Sequence, residues 1–455
     1  MLGDQLTGFG RLAGAALRAD LALRKEQPTL PMLLCVLLVG PLILLALLGA
    51  GLAMRPAMLA SVTGGCCALW MLRSLPVHFA PLLALLLHQL FLVESGAGLM
   101  SGLGLDVFWW MLGSLMLALA AWETGLIALL ISSGFPGTPD STARRSAVQF
   151  IGHLLAGFVA SSGTRAASNL SALQQRESRA CRFADHLGRM VGLPSHVLNL
   201  FLVGLLAPML VEQLSVLAWA AMMLVPAVVL AALAACAPLK QIEAAGTPSR
   251  VNDVLPRRQC QLSTPQLLSG LALMLAWLGA AFSSRHGLPP GVLCLYLGLM
   301  VVAAGLLPVE KLAGGIDWGL LLACGIWIGL TRTVGEELRA PLAQMIGNST
   351  AWLHPIVAVA ALIALVCLIY RYAGLLRSGL ILLPMVKFLI MVAAPQSSQM
   401  QTAAGSMMIV LLTLHWLDIS SVQASRTRAV RIAVTAVGFV VIAATGAVWH
   451  RLGLL

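Results

Sequence analysis

Two short polar interruptions break an otherwise apolar chain: Ser161-Ser162-Gly163-Thr164-Arg165 and, in the other half, Gly374-Leu375-Leu376-Arg377-Ser378. Hydrocarbon punishes unpaired backbone groups and charged side chains. Such patches survive only where they line a cavity or are covered by protein. Their residue types suit a small anion. Gly163 and Gly374 permit close backbone approach to a ligand. Ser161, Ser162 and Thr164 can donate hydroxyl hydrogen bonds. Arg165 could grip a carboxylate through two parallel N–H groups, and Arg377 and Ser378 are its matching candidates in the second half. The start of a half-helix adds free N–H groups and partial positive charge. For each Arg the competing reading is a helix-end side chain snorkelling to the interface. For Arg377 a further alternative is pairing with Glu336, Glu337 or Asp418.

Other side chains could share this work. Ser168 and Asn169 follow the first patch, and Arg371 and Lys387 flank the second. Arg176, Arg179, Arg182 and Arg189 form a basic cluster after Arg165. It reads either as a funnel for anions or as an interfacial helix. His153 and His196 lie in or beside apolar segments, where a hydrogen-bonded helix residue competes with a proton carrier. Glu123 and Glu212 are isolated acids, each able to carry a coupling proton or to pair with an Arg.

The elements that must position these residues follow from composition. The 455 residues are 59% hydrophobic and only 10% charged, against roughly 25% charged in soluble proteins. Water cannot be the main solvent, so the expected fold is an all-α polytopic membrane protein. A crossing helix needs roughly 20 apolar residues, which predicts about eleven transmembrane helices with two re-entrant hairpins. The segments 147–164 and 379–394 are too short for full spans and read as the hairpins. A net charge of +11 fits Lys and Arg collecting in cytoplasmic loops, which puts the N-terminus in the cytoplasm and the chain in the inner (plasma) membrane. No nucleic-acid motif accompanies the charge. The nine Cys have no metal-ligand spacing, and no cofactor is expected.

Residues 1–31 read as a cytoplasmic amphipathic N-terminus. A polar linker at 240–262 then divides a first transmembrane repeat (32–239, with the patch 161–165) from a second (263–455, with the patch 373–379). The halves echo one another. Asp106-Val107-Phe108-Trp109-Trp110 opens a span ending at Trp122-Glu123-Thr124-Gly125. Ile316-Asp317-Trp318 opens one ending at Thr331-Arg332-Thr333-Val334-Gly335. Each precedes a polar connector and then a broken segment. An inverted repeat with the site between the halves is the expected arrangement.

At these residues the chain resembles the divalent-anion:sodium symporter family of the ion-transporter superfamily, and most nearly its citrate–succinate and oxoglutarate–malate exchanger branch. Ser162-Gly163-Thr164-Arg165 stands where the family has Ser-Asn-Thr followed by Ala-Arg. Tyr370-Arg371-Tyr372-Ala373 and Leu382-Leu383-Pro384 bracket the second signature in register. The departures are Gly163 for Asn, Gly374-Leu375-Leu376 at Ser/Thr positions and Ser378 at the His position. The resemblance implies two hairpin tips forming one substrate site, a homodimer, and movement of the hairpin domain against a scaffold. A hard cation needs several oxygen ligands, and the side chains of Leu375 and Leu376 offer none, so sodium coupling is doubtful.

The expectation is therefore a secondary transporter of small organic anions: di- or tricarboxylates such as succinate, malate or citrate. It would work by exchange (antiport) or proton coupling, through alternating access. It is not expected to be an enzyme, since no nucleophile elbow, zinc-protease motif, phosphate loop or dinucleotide fingerprint occurs. Two rivals stand beside it. One is a non-transporting membrane subunit whose site has decayed. The other is a membrane-integral enzyme on a lipid-linked substrate, although the polar loops 165–195 and 240–262 lack paired carboxylates with a His.

Overall fold

Backbone satisfaction inside a chain this apolar demands helices, and helices are what form. The computed structural model describes residues 30–70, 75–91, 96–132, 151–156, 184, 187–206, 216–236, 262–346, 355–393, 399–422 and 428–451. Among the described residues there is no strand, and the fold is 89% helical. Three helical segments are long and apolar enough to cross a membrane: Thr264–Ala281, Trp318–Ala340 and Ala364–Ile390. Residues 1–29, the first patch Ser161–Arg165, Ser168, Asn169, Arg176, Arg179, Arg182, Glu212 and the linker 240–261 lie outside the described residues.

The chain forms two compact units, 1–95 and 96–455. In the first, α1 (Leu30–Gly49), α2 (Met54–Leu69) and α3 (Phe79–Leu90) are the described helices. Gly51, at φ +86°, turns the chain from α1 into α2. The two backbones approach closely because glycine faces glycine: a Cβ on Gly65 would stand 3.2 Å from the Gly40 Cα. Ser61 Oγ donates to the Gly40 carbonyl at 2.8 Å. Small residues and a hydroxyl bridge are what holds helices together in lipid, where burial of Leu gives no advantage. The opposite face of α1 leaves Leu34, Leu37, Leu38, Leu42 and Leu45 exposed, the surface expected of a helix bathed in hydrocarbon.

The second unit contains α4 (Gly96–Leu99), a 3-10 turn (Ser101–Gly104), α5 (Asp106–Glu123), α6 (Leu126–Ser132), a second 3-10 turn (Leu193–Ser195) and α7 (Val197–Leu206). It continues with α8 (Val216–Cys236), α9 (Thr264–Ala281), α10 (Ser283–His286), α11 (Pro290–Ala303), α12 (Val309–Gly315) and α13 (Trp318–Ile346). α14 (Pro355–Ala393), α15 (Gln399–Val422) and α16 (Arg428–Arg451) complete it. Its core is α5 against α11. α5 is apolar on every side and buried along most of its length, from Val107 to Ala121, as a central helix must be. Gly113 lies so close to α11 that an added Cβ would fall 2.4 Å from the Cys294 carbonyl carbon. At the end of the seam Asp106 caps its neighbour: its carboxylate accepts the Gly291 and Val292 N–H groups at 3.0 and 3.3 Å. These are orphan donors of the first turn of α11.

The two spans that echo each other in sequence are α5 and α13. Their opening aspartates act differently. Asp317 Oδ1 accepts the Leu320 N–H at 2.9 Å and caps its own helix, whereas Asp106 caps α11. Glu123, at the far end of α5, stands 3.7 Å from Lys311; its partner is a lysine rather than an arginine.

The element α14, from Pro355 to Ala393, is two helical limbs that meet at a kink at Gly374. The polar patch is the junction of the limbs, and residues 379–393 of the segment read from sequence as 379–394 lie on the second limb.

Candidate functional site

The site grows from one residue. Gly374 has φ +76° and ψ 176°, a combination essentially open only to glycine. The turn ends there and a new helix starts within the membrane-length segment Ala364–Ile390. A helix start leaves its first N–H groups without intrahelical acceptors, and here those groups include Leu375 and Leu376. An ideal Cβ at Gly374 meets no described atom within 4 Å, so the break borders open space.

Ser378 shows what the break does to a side chain. In an intact apolar helix a hydroxyl bonds back to the carbonyl four residues earlier. Thr331 does so to Trp327 at 2.7 Å, Thr413 to Ile409 at 2.7 Å and Thr445 to Val441 at 2.8 Å. The residue four before Ser378 is Gly374, where the first limb ends and the second begins. Ser378 is 0% exposed, and its Oγ has no hydrogen-bond partner among the described residues. A buried hydroxyl left unsatisfied costs about 1–3 kcal/mol, which a ligand oxygen would relieve. Arg377, next to it, is partly buried. Arg371, by contrast, is exposed.

The second limb of α14 is fixed on three sides. Gly379 touches α7, where a Cβ would stand 2.6 Å from Leu198 Cδ2. Pro384 has no N–H, so the Leu380 carbonyl loses its helical donor. Trp327 of α13 supplies the replacement, its Nε1 donating to the Leu380 oxygen at 2.8 Å. Farther along, Lys387 Nζ donates to the Leu205 carbonyl of α7. On the first limb, the Tyr370 hydroxyl donates to Asp418 Oδ1 on α15 at 3.2 Å. That carboxylate is one of the three proposed alternatives for Arg377, and Glu336, another, sits 3.4 Å from Arg332.

α7 is buried along its whole length, and its polar residues are packed into the fold. His196 is 4% exposed. Its Nδ1 accepts the Leu198 N–H at 3.2 Å, which requires a neutral ring with its proton on Nε2. The His196 ring meets His415 of α15 edge to face, centroids 4.8 Å apart. Asn199, 0% exposed, donates through Nδ2 to the Arg189 and Gly192 carbonyls at 3.0 and 2.9 Å. Its Oδ1 has no partner among the described residues. Both His196 and Asn199 thus bond main chain at the entry to α7.

Of the residues expected to bind substrate, the structure groups Gly374, Arg377 and Ser378 on one bend; Ser161, Ser162, Gly163, Thr164 and Arg165 fall outside the described residues. Asn199, Trp327 and His415 were not read as site neighbours from sequence. A polar residue inside the apolar run Val197–Leu206 was the available signal for Asn199. For Trp327 the signal was Pro384, which predicts an orphan carbonyl without saying what fills it. The chain matches no family model and no curated protein, so the likeness to the anion symporters rests on the motifs themselves.

Proposed function

We propose that this chain is a secondary transporter of small organic anions, di- or tricarboxylates, with its substrate site at the bend of α14. The observation that carries the reading is Ser378: a fully buried hydroxyl without a hydrogen-bond partner among the described residues, one turn beyond the helix start at Gly374. Hydrogen-bond donors and the partial positive charge of a helix start suit a ligand that must bind and leave. Arg377 supplies full charge. The proposal extends to the finer arrangement: about eleven crossings, two re-entrant hairpins and an inverted repeat. Ser161–Arg165 would be the second half of the site. A homodimer in the inner membrane with a cytoplasmic N-terminus completes the reading. Exchange or proton coupling fits the apolar Leu375-Leu376 pair better than sodium coupling does.

The test is uptake of labelled succinate and citrate into liposomes holding the purified protein. It runs with and without a sodium gradient, a pH gradient and internal counter-substrate. Sodium-independent uptake that needs internal dicarboxylate is the expected outcome. Ser378→Ala weakens substrate affinity about tenfold, the worth of one hydrogen bond to a charged group; Arg377→Ala and Arg165→Ala remove uptake. Unchanged uptake in all three variants rejects this site. A folded protein with no flux for any anion points instead to a non-transporting subunit, the reading that the loss of Ser/Thr at Leu375 and Leu376 favours.

A further inference from the structure

We infer that the crevice between α5, α8, α9 and α11 binds one acyl chain of a glycerolipid, whose ester carbonyl accepts a hydrogen bond from the Trp110 indole N–H. The inference needs a membrane around the chain but not the transport function proposed above. Trp110 is 4% exposed, and its Nε1 has no hydrogen-bond partner among the described residues. Other buried tryptophans find a carbonyl: Trp70 donates to Val77 at 2.7 Å, Trp219 to Met190 at 3.3 Å and Trp327 to Leu380 at 2.8 Å. Trp110 differs in lining an open crevice of about 360 Å³, mouth included. The Cys294 sulfur beside its N–H lines the same crevice, which puts the donor edge of the indole on the crevice side. A thiol is a weak acceptor, and a buried donor is costly to leave unmade.

The order of residues along the crevice matches a lipid. α9 is long and apolar enough to cross a membrane and ends at Ala281. A short connection leads to Pro290, where α11 starts, and Asp106 at the start of α5 caps α11 at Gly291. Three helix ends therefore lie level. Trp277, Cys294 and Trp110 each sit one turn inside them, roughly 6 Å, nearer the interfacial layer than the midplane, on the side where acyl chains meet their ester carbonyls. From there the lining continues inward to Leu117 on α5 and Leu273 on α9, where it is apolar. Ser114 Oγ already donates to the Met111 carbonyl at 2.9 Å, which leaves Trp110 as the donor. No charged side chain lines the crevice among the described residues, so the acceptor it suits is neutral, an ester rather than a carboxylate or phosphate. The crevice is narrow and takes a chain more readily than a ring. Leu217, beside the lining residue Val216, and Leu278, beside Trp277, are exposed, so the mouth opens to hydrocarbon between α8 and α9. An acyl chain gains little by leaving one apolar surface for another; the hydrogen bond is what makes this crevice selective.

The experiment sets two lipids in competition for the full chain in detergent and reads the retained lipid by native mass spectrometry. One is a diacyl phosphatidylcholine; the other is its dialkyl ether analogue, with chains of equal length and no carbonyl. Wild type is expected to retain the ester lipid over the ether lipid roughly fivefold, the worth of one neutral hydrogen bond. Trp110→Phe keeps an aromatic ring and deletes the N–H, so the two lipids should be retained equally. Ala276→Leu fills the crevice from α9 and should also abolish the preference. Equal retention by wild type, or a preference that survives Trp110→Phe, overturns the inference. A long-chain benzoquinone, which carries the same acceptor on a ring, is the third competitor. Failure to displace the ester lipid supports an acyl chain as the occupant, and displacement rejects it. Should Trp110→Phe fail to fold, Ala276→Leu decides beside wild type: loss of the ester preference supports the inference, and its persistence places the bound lipid elsewhere and rejects it.

Discussion

The seam between α5 and α11 and the bend in α14 are both built around glycine, and they use it in opposite ways. At the seam glycine removes space. Cβ atoms at Gly113 and Gly291 would lie 2.4 Å from the Cys294 carbonyl carbon and 2.0 Å from the Asp106 oxygen. Main chain meets main chain, and nothing there can yield by a rotamer change. At the bend glycine supplies a conformation. Gly374 has room around it and a φ of +76°. One region has two helices pressed together at the backbone; the other has one helix broken and then tied to α7 and α13 by a lysine and a tryptophan. The transport function proposed above calls for such a pair: a part that does not deform and a part that can change its backbone conformation.

The sharpest way to break this comparison is to place one methyl group in each region. Gly113→Ala drives a Cβ into the α11 backbone, and the helices must separate along the seam. We expect a loss of about 3 kcal/mol or more, the upper range for overpacking, read as little folded protein on size exclusion and a large fall in unfolding temperature. Gly374→Ala meets no described atom, yet an alanine rarely adopts this backbone. The strain costs about 1–3 kcal/mol. Folded protein with impaired substrate binding is the expected outcome, because relieving the strain removes the kink that shapes the proposed site. Equal unfolding temperatures for the two variants would erase the distinction between a fixed seam and a free bend.

Much of the second patch was legible in the sequence because glycine and proline punctuate helices in ways side-chain packing does not overrule. Gly374 marked a break, and Leu382-Leu383-Pro384 marked the end of the patch that follows it. The form of the break was not legible. A gap between apolar segments looks the same in a hairpin and in two helices that meet at a kink, since both need a glycine and both leave short apolar stretches on either side. Partner choice was equally hidden. Lys387 faces a main-chain oxygen, Glu123 a lysine and Tyr370 an aspartate; each pairing joins residues far apart in the chain, and hydropathy carries no trace of it. Asp106 and Asp317 make the point within one motif. The same residue type opens two similar spans, and only packing decides that one caps its own helix while the other caps its neighbour.

The bond between Trp327 and the Leu380 carbonyl sharpens the comparison most finely, because it tests whether the second limb is held by design or by proximity. Pro384 removes the donor that Leu380 would otherwise have, and the indole N–H of Trp327 replaces it at 2.8 Å. Trp327→Phe keeps the aromatic bulk and deletes the N–H, leaving a buried carbonyl without a donor at a cost of about 1–2 kcal/mol. Pro384→Ala restores an amide at the position four residues on, and the helix can close its own bond to Leu380. In the double variant the carbonyl is satisfied from within α14, so the cost of Trp327→Phe should fall by about 1 kcal/mol relative to its cost with Pro384 present. Unfolding temperatures of the four proteins measure that coupling. Additive losses would mean that Trp327 merely packs against α14, whereas a coupling of the expected sign means that the proline creates the vacancy and the tryptophan fills it, tying the second limb to α13 through the missing N–H.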